Sequence, residues 1–413
     1  MSFAVLGNEN KLLPAFCKPY ADELLSCWLT RMAFNHGLTT KELCQYIWPN
    51  YSGNPDIDRT ISKAHIGILA ARTNCKIAEV ESATLSSYQL IVFNSLNIVY
   101  GQERWLIPSK KARAGHCSGL MFCPACLKTQ PYFRKNWRLA ISFACTSCGC
   151  YLCESCPHCG QGNSFIDVAE CNFAEQTLRA YLLNCHHCGK DVTECTPEIA
   201  PPAFVKLQQQ LYDVIDHGLH DQMVYTESYF RVLHHLASLM ITAKHSALKI
   251  RRFADQVYRQ NSLPIERFKG ERLEIRNLPL KQRTHAIKAA HWLLQEWPHR
   301  FIEIALNNHL KRKDVFDEFP NAPFWFWEPL YYGMGASLPV QTERLSFDNF
   351  DLCTARLKEE PIQPPDYDFN IDEAFYNDEM YKDNDEGDYI PNGYTEDIEG
   401  NEEEEEPAWS FDY

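Results

Sequence analysis

Residues 143–160 read FACTSCGCYLCESCPHCG, and six of the chain's eighteen cysteines fall between Cys145 and Cys159. They form four overlapping CxxC pairs, 145/148, 150/153, 153/156 and 156/159, so they cannot all ligate a metal in the same way. Two more pairs, 123/126 and 185/188, flank the stretch. A metal-binding knuckle turns its backbone N–H groups toward sulfur, and a glycine just after the second cysteine eases that turn by accepting positive φ. CTSCG, CPHCG and CHHCG carry that glycine at Gly149, Gly160 and Gly189, while FCPACL carries Pro124 in its turn, as CPHCG carries Pro157. The pair 150/153 encloses Tyr151 and Leu152 and precedes Glu154, which reads as an extended link between knuckles.

Four knuckles make two tetrahedral sites of four thiolates with no open position, the pattern of structural zinc. Sequential pairing puts Cys123, Cys126, Cys145 and Cys148 in one site and Cys156, Cys159, Cys185 and Cys188 in the other. The enclosed loops are 18 and 25 residues long; an interleaved pairing closes longer loops. Cys117, Cys150, Cys153, Cys171 and Cys195 then read as buried small hydrophobes. Two structural zinc ions are the expected cofactors. No catalytic residue is assigned: GxxxxGK, HExxH and a histidine opening HxE are all missing from the sequence, which removes the usual ATPase, metalloprotease and zinc-deaminase signatures.

The elements that must position these knuckles are mainly helical. ADELLSCWLTRMAFNHG places Leu24, Leu25, Trp28, Leu29, Met32 and Ala33 on one stripe. Gly37 is placed to end that helix, and Thr39 or Thr40 to cap the next, KELCQYIW. This pair makes a helix-turn-helix candidate, with an ordinary helical hairpin as the alternative. A second helical pair is expected over AHIGILAARTNCKIAEVESATL. YFRVLHHLASLM and RTHAIKAAHWLLQEW again repeat apolar residues at three and four, and Pro298 interrupts the chain before FIEIALNNHL. The expected fold is mainly α with small zinc-ribbon β elements. It divides into a helix-turn-helix-like region over 1–105, tandem zinc ribbons over 106–200, a C-terminal helical domain over 201–344 and an acidic, disordered tail over 345–413.

The net charge of −14 hides an asymmetry. Residues 359–413 hold 21 acidic residues and one basic, leaving 39 basic and 33 acidic, or +6, for residues 1–358. That modest excess argues against a dense nucleic-acid footprint. Candidate phosphate or partner contacts are Lys110, Lys111 and Arg113; Arg134, Lys135 and Arg138; and Lys249, Arg251 and Arg252. No run of about 18 apolar residues predicts a membrane span. The N-terminus lacks the pattern of a secretory signal. A cytoplasmic location is expected, where CxxC pairs favour metal over disulfide.

The order FCPACL, YFRKNWRL, CTSCGCYLCESCPHCG resembles the TniQ/TnsD family of transposon target-selection proteins. Cys123, Cys126, Tyr132, Phe133, Arg134, Trp137, Cys145, Leu152, Cys156, Pro157 and Cys159 match its pattern; Cys148 stands where the family usually has histidine. KPYADELLSCWLTRMA is similar to the family's entry motif through Pro19, Glu23, Leu25, Ser26 and Arg31, and Trp297-Pro298 to its later helices. The resemblance covers roughly residues 12–305. It implies a non-catalytic adaptor that joins a TnsC-like AAA+ ATPase, and through it the transposase, to a targeting element. That element is attachment-site DNA in one branch and a CRISPR effector such as Cascade in the other, which can form homodimers. The shorter body fits the second branch better. The rival reading is a helix-turn-helix and zinc-ribbon transcription regulator that binds duplex DNA by itself.

Overall fold

The computed structural model describes residues 12–49, 51, 56–94, 104–107, 120–162, 177–219, 225–242, 248–268, 273–317 and 319–335. The acidic tail, Lys110, Lys111, Arg113, Cys117 and Cys171 lie outside the described residues. Among those described, the protein is helical with no named strand.

Helix α1, Leu25–Asn35, is buried on every side from Leu25 to Ala33, not along one stripe. The stripe of Leu25, Trp28, Leu29, Met32 and Ala33 packs into a small N-terminal core with Leu43, Ile47, Leu69 and Val80. The opposite face, with Leu24 and Cys27, joins the larger core that runs through the cysteine-rich segment. Burial all round requires that the polar residues be satisfied internally. Ser26 Oγ donates to Asp58 at 2.8 Å, and Thr30 Oγ1 donates to the Ser26 carbonyl at 2.7 Å. Arg31 donates to both oxygens of Glu23 at 2.9 and 2.7 Å. The entry motif is thus a buried polar network.

Gly37 takes φ +64 just past α1, and Thr39 opens α2, Thr40–Ile47, with a capping box closed by Glu42. Thr39 is therefore the cap. Short α3, Ile57–Thr60, precedes α4, Lys63–Thr73, which ends on left-handed Asn74. Helix α5, Ile77–Ser82, completes this group.

The cysteine-rich segment carries short α6, Pro124–Thr129, and α7, Leu178–Leu183. Its β elements are isolated antiparallel bridges, including Phe122↔Cys153, Ala144↔Tyr151, Cys150↔Ile199 and Asn184↔Asp191. The ladder stops after one pair because the neighbouring residues turn into knuckles. Leu24 N donates to the Phe133 carbonyl and Lys135 N to the Asp22 carbonyl, both at 2.9 Å, which docks this segment on α1.

The remaining helices are α8, Pro202–His217; α9, Thr226–Met240; α10, Leu248–Gln260; α11, Leu280–Gln295; α12, His299–Asn307; α13, Arg312–Phe316; and α14, Phe324–Gly333. Helices α9 and α11 pack together. Pro298 separates α11 from α12, as its lack of a donor and fixed φ require. The buried Trp297 beside it stacks on Phe326 of α14. The larger core is continuous from Leu24 through Phe122 and Leu152 to Leu330. Trp105 Nε1 donates to the Phe230 carbonyl at 2.9 Å and ties the middle of the chain to α9.

Candidate metal centre

Each glycine-bearing knuckle has the backbone its sequence predicts. Gly149, Gly160 and Gly189 adopt φ of +66, +72 and +73. Their N–H groups donate back to the carbonyls of Cys145, Cys156 and Cys185 at 2.9, 2.9 and 2.7 Å. The fourth knuckle is built differently. Cys123 is the N-cap of α6 with Pro124 in the first turn, and its sulfur accepts from Cys126 N at 3.3 Å. Proline is favoured there because the missing N–H has no helical partner to lose.

These four turns assemble two sulfur clusters, Cys123/Cys126/Cys145/Cys148 and Cys156/Cys159/Cys185/Cys188, with the sulfurs of each within 4.8 Å of one another. The structure therefore brings the sequential pairs together. Cys126 Sγ is 3.5 Å from both Cys145 Sγ and Cys148 Sγ. In the second cluster Cys156–Cys188 and Cys159–Cys185 are each 3.7 Å apart. A tetrahedron with zinc–sulfur bonds of about 2.3 Å has edges of roughly 3.8 Å, so the donor set fits a zinc-sized ion with little movement. Sulfur–sulfur contacts hold the Cys145 thiol low, through Cys123 first and Cys126 second. Burial raises Cys148 and Cys156 and pushes Cys185 up to about 12. A backbone N–H from Lys190 lowers Cys188. In the three glycine knuckles the buried first cysteine is partnered by an exposed second, Cys148, Cys159 or Cys188, whereas Cys123 and Cys126 are both buried.

The link between the clusters is an extended strut. Cys153 N and Phe122 N exchange hydrogen bonds with each other's carbonyls at 2.8 and 3.0 Å, and Leu152 N donates to the Phe143 carbonyl at 2.9 Å. Gln208 of α8, fully buried, accepts from Phe143 N at 2.7 Å and Ala144 N at 3.2 Å just before the second knuckle. Two functional features were invisible in the sequence. Glu154 reaches across to cap α11 through Leu280 N at 2.7 Å and pairs with Arg283 at 2.9 Å. Cys150 is buried as expected, but its sulfur contacts Cys123 Sγ at 3.5 Å. Neither contact has a spacing signature, because each joins segments distant along the chain.

The candidate basic contacts separate sharply. Arg138 requires a correction: it is 1% exposed and cannot meet a phosphate. Its guanidinium donates to Asp56 at 2.8 Å, to Asp58 at 3.1 Å and to the Ile107 carbonyl at 3.1 Å. Arg134 is half-buried, donating to Asp22 and Gln130 at 3.0 Å each and lying over Tyr132 and Trp137. Lys135 is half-buried on the Ser82 carbonyl and Ser87 Oγ, and burial draws its pKa down. On α10, Lys249 and Arg252 are exposed and Arg251 is half-buried. The YFRKNWR segment is thus largely an internal brace between α1 and the knuckles.

Fold and site together define a helical protein organised around two closed four-sulfur clusters. Residues 14–152, about a third of the chain, match the TniQ family model, so this part of the chain is similar to that family. The match spans the N-terminal helices and the first cluster and stops short of the second. No curated protein matches the chain. Among the described residues no helix is long and apolar enough to cross a membrane.

Proposed function

We propose that the chain is a non-catalytic adaptor in DNA transposition. In this reading it links a targeting element to a TnsC-like AAA+ ATPase, with each four-sulfur cluster holding a structural zinc ion. The observation that carries this reading is the TniQ match over residues 14–152, which contains both the buried entry network and the first sulfur cluster. Closed four-thiolate sites supply folding energy and shape and leave no position for a reacting water. The four-part division at 105, 200 and 344, a cytoplasmic location and homodimer formation belong to the same reading.

A CRISPR effector is favoured over direct reading of attachment-site DNA because Arg138 is consumed internally and Arg134 and Lys135 are largely so. That thins the basic footprint expected of an autonomous duplex binder. Size-exclusion chromatography of the chain with the TnsC-like ATPase of its own transposon tests this. Co-elution supports the adaptor. Salt-sensitive, sequence-specific duplex binding by the chain alone, with no retention of the ATPase, would instead support a transcription regulator.

A further inference from the structure

The first sulfur cluster has a neighbour that, among the described residues, the second lacks. Cys150 occupies the position directly after the knuckle glycine, where the other two glycine knuckles have Gln161 and Lys190. The backbone is the same in all three: Cys145 N, Cys156 N and Cys185 N each donate to the carbonyl of that residue at 2.8 Å. Only the Cys145/Cys148 knuckle places a thiol there. Its sulfur sits 3.5 Å from Cys123 Sγ, the same spacing that Cys126 keeps from Cys145 and Cys148. A buried residue chosen only for small apolar volume has no need to bring sulfur against a ligand sulfur.

Exposure within the cluster is uneven. Cys123, Cys126 and Cys145 are buried, whereas Cys148 is exposed and open to electrophiles and oxidants. Cys150 is 1% exposed. It lies outside the set of four mutually close sulfurs, so serving the metal requires its side chain to turn toward Cys126 and Cys145. Its backbone is fixed by the Cys145 hydrogen bond, by the bridge to Ile199 and by the Ala200 N–H on the Gly149 carbonyl. The single χ1 torsion is therefore the remaining freedom, and staggered wells are its natural stops.

We propose that Cys150 is a reserve ligand of the first metal centre, taking the coordination position when Cys148 is lost. This rests on the reading that the clusters hold zinc. In the exchange one thiolate leaves the metal and one binds, and the Cys150 thiol proton passes to solvent, so the metal keeps four sulfurs and its charge balance. The first cluster is then a five-thiol site tolerant of damage at its exposed member, a reserve the second cluster lacks among the described residues.

Zinc per chain, measured on the full-length protein by elemental analysis after chelator challenge, separates the outcomes. Wild type and Cys150→Ser are expected to retain two ions, Cys148→Ser also two, and the double variant Cys148→Ser/Cys150→Ser one. In the second cluster, Cys159→Ser alone is expected to retain one. Loading Cys148→Ser with cobalt(II) gives a readout that does not need the double variant to fold. Thiolate charge-transfer absorption per chain is expected to match wild type. A drop of about one-eighth, one thiolate lost from the eight in the two clusters, overturns the proposal, as does a Cys148→Ser protein that keeps one zinc. A wild-type chain that binds no zinc overturns the zinc reading itself, a result distinct from either.

Discussion

Glu154 and Arg283 are 129 residues apart in the chain and form a 2.9 Å ion pair in which the arginine side chain is fully buried. Glu154 follows the strut between the two sulfur clusters, and its second oxygen caps α11 through Leu280 N. The pair therefore transmits the position of the knuckles to the C-terminal helices. Arg283 also donates to the Leu278 carbonyl at 2.9 Å, so its charge is held from two sides.

Removing Glu154 strands a buried guanidinium and leaves the start of α11 uncapped. Glu154→Ala is expected to lower unfolding free energy by about 3 kcal/mol, the scale for breaking one side of a buried pair. Arg283→Ala should cost a similar amount, and the double variant much less than the sum. Urea unfolding of the four proteins checks this; additive losses would mean that the two residues act independently.

Arg138 with Asp56 and Asp58 makes a second internal brace, and here pH is the probe. Burial raises the Asp58 pKa to about 6, against the lowering influence of Arg138. An acid whose folded pKa is raised binds its proton more tightly when folded. The stability it contributes is complete below its unfolded value near 4 and is lost as pH rises through about 6. Wild type is therefore expected to lose stability relative to Asp58→Asn as pH rises from about 4 to about 6. Urea midpoints of the two proteins across that window measure it, and a constant difference would refute the assignment.

The knuckle glycines offer a clean backbone test. A Cβ at Gly149, Gly160 or Gly189 would meet nothing within 4 Å, so substitution acts only through positive φ. Each Gly→Ala change is expected to cost about 1–2 kcal/mol and to speed metal release to a chelator. Gly→Asn should cost less, because asparagine tolerates the left-handed region. Equal effects of Ala and Asn would point away from φ.

Cysteines of the strut and of the clusters should differ in kind. Cys145→Ser and Cys159→Ser are each expected to lose one zinc and to unfold the surrounding segment, because metal binding and folding are coupled. Cys153→Ser, which removes a thiol that burial pushes up to about 12, should keep both ions. Circular dichroism with zinc quantification on the three variants distinguishes them. Equal zinc loss would place Cys153 among the ligands.

Much of this architecture was legible locally. The glycine after three of the four knuckles, a threonine cap at Thr39 or Thr40 and the break at Pro298 are short-range consequences of φ preference and donor count. Legibility failed where burial depends on distant partners. Arg138 read as a surface cation because nothing near it in sequence announces Asp56 and Asp58. Helix α1 read as amphipathic because its polar residues look solvated until Asp58 and Glu23 are seen to satisfy them. Cys150 read as inert because its contact with Cys123 crosses 27 residues.

Zinc K-edge absorption on the purified full-length chain addresses the central claim, two closed four-sulfur centres, most directly. Two zinc ions per chain and a single shell of four sulfurs at about 2.3 Å, with no nitrogen or oxygen ligand, are expected. A first shell containing light atoms, or one zinc per chain, would contradict it.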